Sequence, residues 1–411
     1  MKFGPAILSW SKVRAACTWR HCWIYCTHLR ERITRVGDKE QKKLRLGLIF
    51  GGRSGEHEVS LASAQAIMQN LDREKYEIVP IYITRTGAWL LGPDPAQLLT
   101  SGEHTTSASQ QASTAVTLDP TAHRLVPLHS HEQPGAGSTG AALDVVFPVL
   151  HGPYGEDGTL QGLLEMANVP YVGNGVLGSA LGMDKEKMKM IFQQVGLPVG
   201  DYLVYRRSEW EREPERILDA VEERLGYPCF VKPVNLGSSV GVSKAHDRSE
   251  LEHALHIAAE YDRKIIIERT INCRELECAV LGNDEPVASV VGEVIPSNEF
   301  YDYNAKYIDN RSQVIIPADI PHTTAEETRR MALQAFTALD LSGLARIDFF
   351  LEKESGKLYI NEVNTLPGFT QISMYSKLWT ASGLPYRELL DRLIELGLQR
   401  YADRQRNRVS R

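Results

Sequence analysis

The sequence predicts a mixed α/β and α+β architecture, and three stretches carry that expectation. Residues 42 to 71 read as a strand (KKLRLGLIFGG) running through a glycine turn into an amphipathic helix (SGEHEVSLASAQAIMQNL), a β-turn-α opening. YPCFVKPV followed by NLGSSVGVSKA reads as a strand bearing a lysine and leading into a glycine-serine turn. From Glu268 onward strands dominate, among them ELECAVLGN, PVASVVGEVIP, RIDFFLE and KLYINEVN.

The 411 residues suffice for two to three domains at ~150 residues each. Lysine plus arginine number 46 against 52 aspartate plus glutamate, a net charge of -6, which disfavours a nucleic-acid binder held by bulk positive charge. An anionic ligand therefore has to be met locally. No stretch approaches the ~20 uninterrupted apolar residues of a spanning helix, and the N-terminus lacks a secretory apolar core with a small-residue cleavage site. The expected setting is a reducing cytoplasm, with no membrane partner. Six cysteines are too sparse for a disulfide scaffold. Cys17, Cys22 and Cys26 lie near His21 and His28, but their spacing matches no paired C-x2-C pattern, so residues 1–41 read as a disordered or non-native arm rather than a zinc module. An Arg-rich transit peptide and a reading frame extended upstream both fit that arm.

Residues 42–173 read as an α/β domain, completed by YEIVPIYITRTGAWLL and LDVVFPVLHGPYGEDGTLQGLLEMANVPYVG. Its stretch 100–140, rich in Ser, Thr, Gln and Gly, is expected to be a surface excursion. Residues 174–267 are read as a small α+β domain: one helix from Ser179 through SALGMDKEKMKMIFQQVG, the strand-like LPVGDYLVY, a charged helical run to Leu225, the lysine strand and its turn, a helix over 249–260 and the strand KIIIE. Residues 268–402 add the remaining strands, a helix over 324–339 and another from Tyr386 to about Arg400, with 403–411 as a tail. There is no internal repeat.

Several motifs bear on chemistry. Gly173-Asn174-Gly175-Val176-Leu177-Gly178 is a literal G-x-G-x-x-G with Asp201 beyond it, which alone argues for a dinucleotide-binding dehydrogenase. The preceding strand is very short and Asp201 precedes a strand where the ribose-binding acid should end one, so the glycines read better as a crossover. No P-loop motif occurs. A different phosphate grip is visible in Lys232 with the turn Gly237-Ser238-Ser239-Val240-Gly241, a nest of N–H groups, joined by Lys185 of Met183-Asp184-Lys185. A solvated hairpin with a surface lysine is the plain alternative. Strand alternation puts Arg346 and Asp348 on one face, and Glu362 and Asn364 on one face of the next strand. Burying these charges without a ligand is costly, and their hard oxygens suit one or two Mg2+ ions. An exposed face laced with ion pairs is the competing reading. A four-residue KESG turn in strict register would pair Asp348 with Asn361, so convergence requires a one-residue shift or a bulge. Glu268 and Glu275 are carboxylates able to read adenine and ribose. Residues 298–312, with their aromatic and polar 299–307 stretch, read as a lid. Glu58 and Ser60 are expected to cap the first helix, which leaves Glu56 as the candidate for a substrate ammonium.

GGRSGEHEVS, HGPYGEDGT, MDK, VKPVNLGSSVG, YDYNAKY, RIDFF and NEVNTLPGFT, in that order, resemble the D-alanine:D-alanine ligases of the ATP-grasp superfamily over about residues 43 to 400, the 100–140 stretch excepted. The resemblance implies an ATP-grasp fold with an N-terminal Rossmann-like domain and a nucleotide held between two sheets. It further implies that Lys185, Lys232 and the Gly237, Ser239 and Val240 turn bind ATP phosphates, and that Glu268 and Glu275 hold adenine and ribose. Asp348, Glu362 and Asn364 would carry two Mg2+, with Mn2+ an admissible substitute; a monovalent cation is not readable. Glu56, Ser238 and Tyr307 would orient the first D-alanine. Arg346 and the Gly368 N–H would form the oxyanion site. Lys306 on the lid would face the transferred phosphate or the second carboxylate, Ser373 would bind that carboxylate, and His151 would sit near the second amine. The resemblance also implies a homodimer.

The implied reaction converts a D-alanine carboxylate to an acyl phosphate, which a second, neutral D-alanine amine attacks. Tyrosine at 307 accompanies dipeptide formation in that family, whereas phenylalanine accompanies relatives that use D-lactate. A depsipeptide ligase or another ATP-grasp amino-acid ligase, and a nucleotide-binding regulator without catalysis, are the alternative readings.

Overall fold

The computed structural model describes residues 43–92, 94, 96–98, 114–119, 124–127, 141–295, 313–370 and 372–408. The cysteine-bearing arm and the whole of the expected lid, Lys306 and Tyr307 included, lie outside the described residues.

The first sheet is built around β1 (Leu44–Gly51), with β2 (Tyr76–Ile83), β3 (Trp89–Leu91), β4 (Thr114–Asp119), β5 (Arg124–Pro127), β6 (Ala141–Ala142) and β7 (Val145–Val149). Its order is β6-β5-β4-β3-β2-β1-β7, and β1 pairs in parallel with both β2 and β7. Leu46 through Gly51 and all of β7 are buried, the continuous burial expected where helices cover a parallel sheet. Of the 100–140 stretch only 114–119 and 124–127 are described, and there the reading of a plain surface excursion is corrected: β4 and β5 extend this sheet, and Val116 and Leu125 are buried. Strands this short have too few inward residues to announce a period.

The second sheet contains β8 (Tyr202–Arg206), β9 (Cys229–Pro233), β10 (Ser243–Ala245) and β11 (Lys264–Arg269), in the antiparallel order β10-β9-β11-β8. The third contains β12 (Cys273–Gly282), β13 (Val287–Ile295), β14 (Gln313–Ile315), β15 (Gly343–Glu352) and β16 (Leu358–Asn364), in the antiparallel order β14-β13-β12-β15-β16. Alternation sorts their faces. On β9, Cys229, Val231 and Pro233 are buried while Phe230 and Lys232 take the other side. On β15, Ala345, Ile347, Phe349 and Leu351 enter the core, and Arg346 and Asp348 share the opposite face.

The single helix expected from Ser179 is two, Val176–Met183 and Lys185–Gln194, because Asp184 leaves helical geometry and caps the second by accepting the Lys187 N–H. The charged run likewise divides into Arg207–Arg212 and Pro214–Arg224, the proline standing in the first turn where its missing N–H is harmless. The later helices span Arg248–Tyr261, His322–Ala338 and Tyr386–Arg404. Among the described residues no helix is long and apolar enough to cross a membrane.

The G-x-G-x-x-G stretch serves close packing. A Cβ on Gly178 would stand 2.8 Å from the Asp340 carbonyl oxygen. Buried Asn174 donates its amide to the carbonyls of Leu344 (2.8 Å) and Thr365 (2.6 Å) and accepts the Ser342 N–H (2.9 Å), stitching this crossover to the third sheet. Asn174→Ala leaves two buried carbonyls and the part-buried Ser342 N–H without that partner and is expected to cost about 3 kcal/mol, read as a lower denaturant midpoint; an unchanged midpoint contradicts the stitching role.

Candidate active site

The site begins with a register fault. From the turn upward, β15 and β16 pair in strict register at Leu351 with Leu358, Phe350 with Tyr359 and Phe349 with Ile360, and then Asp348 meets Glu362 and Arg346 meets Asn364. Asn361 is the extra residue of a bulge. Continued alternation from Ile360 would turn Glu362 inward; the bulge reverses the phase, so Val363 is buried and Glu362 and Asn364 face the same side as Arg346 and Asp348. The shift that convergence requires is present.

Arg346 grips Asp348 with two bonds, Nε to Oδ1 at 2.8 Å and Nη2 to Oδ2 at 2.7 Å, and Asn364 Nδ2 donates to Asp348 Oδ2 at 2.9 Å. Sequence reasoning missed Glu277. It lies opposite Asp348 on β12, buried, with Oε2 2.9 Å from Arg346 Nε, and its place two residues after Glu275 on the same strand was the available signal. Glu277, Asp348 and Glu362 thus form a row of carboxylates across three strands. Like charges placed opposite one another repel, and two carboxylates with an amide oxygen are the hard donor set a divalent cation takes. The residues fit such an ion. In the present side-chain positions Arg346 holds Asp348, and among the described residues no three His, Cys, Asp or Glu side chains converge as a ready ligand set.

Lysines face this row. Lys185, first in its helix, donates to the Leu236 carbonyl at 2.8 Å and stands 3.6 Å from Glu362 Oε2. Lys232 on β9 lies 2.6 Å from Glu268 Oε2 on β11. The other Glu268 oxygen lies 2.8 Å from Lys189, a buried lysine that sequence reasoning also missed, although four residues after Lys185 is the same helix face. Burial opposes the Glu268 charge, but Lys189 and Lys232 outweigh it and hold the carboxyl well below the usual carboxylate range. Burial likewise opposes the Lys232 ammonium, and Glu268, Glu362 and Glu275 together push its pKa up instead. Beyond Lys232, Ser238 (φ +49°), Ser239 (φ +58°) and Gly241 (φ +71°) take left-handed backbone, and the Val240 N–H donates to the Gly237 carbonyl at 3.2 Å. Serines rarely adopt this geometry, and such strain concentrates at ligand-binding loops.

A second cluster borders that turn. Glu56 is buried at the start of the helix His57–Asn70 but caps nothing; it accepts the Ser238 hydroxyl, 182 residues away in sequence. Glu58 lies in the first turn, where its carboxylate accepts its own N–H and pairs with Arg85. The capping role expected of Ser60 is corrected: a full turn beyond the cap, it accepts the Gly51 N–H at 2.8 Å and donates to the Val149 carbonyl. Gly152 (φ +75°) adjoins Glu56 so closely that a Cβ there would meet Oε2 at 2.7 Å. His151 is buried with Nδ1 3.7 Å from Glu156 and 3.1 Å from the Leu366 carbonyl, and Nε2 3.3 Å from Ser63 Oγ. Ser63 accepts the Phe369 N–H at 3.2 Å, which ties His151 to the backbone next to Gly368. Ser373 heads the helix Met374–Ala381, accepts the Thr370 N–H at 2.9 Å, and would meet a Cβ on Gly368 at 3.0 Å. Glu275 sits on β12 opposite Phe350.

Two family models match this chain, one described as the D-ala D-ala ligase N-terminus over residues 45–174 and one as the D-ala D-ala ligase C-terminus over residues 191–395. A D-alanine--D-alanine ligase of Ruminiclostridium cellulolyticum is 53% identical over 367 residues, covering 89% of this chain and 98% of that protein. One from Heliobacterium modesticaldum is 54% identical over 371 residues, covering 90% and 98%. Among solved structures, the D-alanine-D-alanine ligase from Coxiella burnetii is similar at TM-score 0.75 and 37% identity, covering 89% of this chain and 96% of that one. The VanG D-Ala:D-Ser ligase from Enterococcus faecalis is similar at TM-score 0.75 and 36% identity, covering 87% and 100%.

Burial opposes the His151 charge, yet Glu156 and Glu56 raise its pKa above the ordinary value. Its contribution to stability is therefore full below the unfolded value of about 6.5 and fades as pH rises through the higher folded value. Thermal melts of the chain and of His151→Gln are expected to converge as pH rises from 6 to 9; a constant gap contradicts this.

Proposed function

The chain belongs to the D-ala D-ala ligase family, and from that premise we propose how its residues join two D-alanines to D-alanyl-D-alanine. The reaction consumes ATP, passes through D-alanyl phosphate, releases ADP and phosphate, and supplies peptidoglycan precursor synthesis. The observation that carries the reading is the bulged β15–β16 hairpin, which turns Asp348, Glu362 and Asn364 to one face, toward Lys185.

In this reading residues 42–173 form the substrate domain, and 174–267 and 268–402 form the two halves that close on ATP. Lys185, Lys232 and the N–H groups of the Gly237, Ser239 and Val240 turn hold the phosphates, and Glu268 and Glu275 hold adenine and ribose. Asp348, Glu362 and Asn364 hold Mg2+, two ions or Mn2+ in their place, which supplies charge neutralisation during phosphoryl transfer. Glu56, held by Ser238 and joined by Tyr307, takes the first ammonium. Arg346 and the Gly368 N–H receive the oxyanion that forms when the second amine attacks. Ser373, at a helix N-terminus, takes the second carboxylate together with Lys306, and His151 stands beside the second amine. The lid excludes water, which competes for the acyl phosphate. The enzyme works in the cytoplasm as a homodimer.

Similarity to the VanG D-Ala:D-Ser ligase favours a second reading, in which D-serine is the second substrate; Tyr307 argues for dipeptide formation rather than a D-lactate ester. ADP release coupled to product mass is measured with D-alanine alone and with D-serine, D-lactate or L-alanine beside it. Alanyl-alanine from D-alanine alone, with D-serine and D-lactate incorporated poorly, is expected; ADP release only when D-serine or D-lactate is added overturns the assignment. In the same assay Arg346→Ala is expected to lose ~10²-fold or more in kcat while still binding ATP, and near-normal turnover contradicts the oxyanion role.

A further inference from the structure

Among the described residues β16 is the last strand of the third sheet, and its outer side meets only the isolated parallel bridge of Val199 with Ile360. An edge strand leaves backbone N–H and C=O groups to be satisfied from elsewhere. At the bulge two such groups are. The Ile360 N–H donates to the Pro198 carbonyl at 2.8 Å, and the Asn361 carbonyl accepts from Lys189 Nζ at 3.0 Å. The extra residue that brings Glu362 opposite Asp348 is thus pinned through its carbonyl by a buried ammonium.

The same ammonium lies 2.8 Å from Glu268 Oε1, and Glu268 Oε2 lies 2.6 Å from Lys232 Nζ. A continuous chain of contacts therefore runs from the bulge of the third sheet through Lys189 and Glu268 to the phosphate-facing lysine of the second sheet. Lys189 is 3% exposed, so ordering it costs a desolvated charge that its two anionic or dipolar partners offset. Lys185, one turn earlier on the same helix, faces Glu362 directly. One helix face thus contacts the hairpin by two routes: Lys185 reaches a carboxylate, and Lys189 reaches the backbone fold that aims it.

We propose that Lys189 is a positioning residue for the metal-nucleotide site: through the Asn361 carbonyl and Glu268 it fixes the spacing between the Asp348, Glu362 and Asn364 donors and Lys232, without itself touching the phosphates. This rests on the reading of the cleft as a metal-nucleotide site. Without the cation, the bulge loses its anchor and Glu268 keeps Lys232 alone, so the two halves of the site drift apart while the D-alanine pocket around Glu56 and His151 is untouched.

The test uses the full chain with Lys189→Met and Lys189→Arg. Mn2+ affinity is read from the electron paramagnetic resonance of free Mn2+ in the presence of ADP, ADP affinity without metal by calorimetry, and kcat and KM for D-alanine in the coupled assay. Loss of a partner that orients metal ligands typically costs 10- to 100-fold. Lys189→Met is expected to weaken Mn2+ in the ADP complex ~10-fold or more and to lower kcat similarly. Metal-free ADP affinity should fall clearly less than Mn2+ affinity, because Glu268 and Lys232 still pair with each other, KM for D-alanine should be essentially unchanged, and Lys189→Arg should restore much of the loss. Unchanged Mn2+ affinity overturns the proposal. So does a collapse of metal-free ADP affinity, which would make Lys189 a phosphate ligand, or an equal loss in KM for D-alanine without rescue by arginine. Should Lys189→Met fail to fold, Lys189→Gln, which keeps a donor but no charge, carries the same expectations. A parent chain that binds Mn2+ with ADP yet makes no dipeptide would refute the substrate assignment, and the Mn2+ comparison would still decide the role of Lys189.

Discussion

Opposed charge across the gap between two sheets is the constraint from which the rest of the site follows. Three carboxylates stand in a row on the third sheet, Glu277 and Asp348 held by Arg346 and Glu362 faced by Lys185, while Lys232 of the second sheet and Lys189 of the helix Lys185–Gln194 enclose a single buried carboxylate, Glu268. Burying any one of these groups alone is prohibitive, and removing one partner leaves the other uncompensated. The side chains therefore hold one another in fixed positions, an arrangement suited to a ligand that brings both polyphosphate and divalent metal.

The scaffold makes this arrangement possible by simple means. Antiparallel strands put their apolar residues into separate cores and leave alternate residues for the gap, so Lys232 on β9 and Asp348 on β15 are exposed to the site by the same alternation that buries Val231 and Ile347. The break at Asp184 begins a new helix at Lys185 and aligns Lys189 one turn later. The first sheet supplies Glu56 and His151 from the loops after β1 and β7, the C-terminal ends of parallel strands, where ligands of open α/β sheets gather.

What the sequence revealed and what it hid divide along physical lines. Residue types that an apolar core does not tolerate stood out, so the polar hairpin and the lysine strand were readable, and the arithmetic of the KESG turn demanded the bulge found at Asn361. Glu277 and Lys189 were harder, because each looks like an ordinary charged residue in its strand or helix and gains meaning only from partners 69 and 172 residues away in sequence, Arg346 and Asn361. The capping role given to Ser60 failed because the helix begins at His57, which leaves Ser60 a turn inside it and aimed at β1 and β7. β4 and β5 were missed because two short strands in a polar stretch leave almost no pattern.

The most direct measurement is a crystal structure of the chain with ADP and Mn2+, with the metal located by its anomalous scattering. The account predicts Mn2+ within coordination distance, ~2.1–2.3 Å, of Asp348 and Glu362 oxygens, Arg346 released from Asp348, and the diphosphate beside Lys185 and Lys232. Nucleotide bound elsewhere, or metal with no contact to either carboxylate, would contradict it.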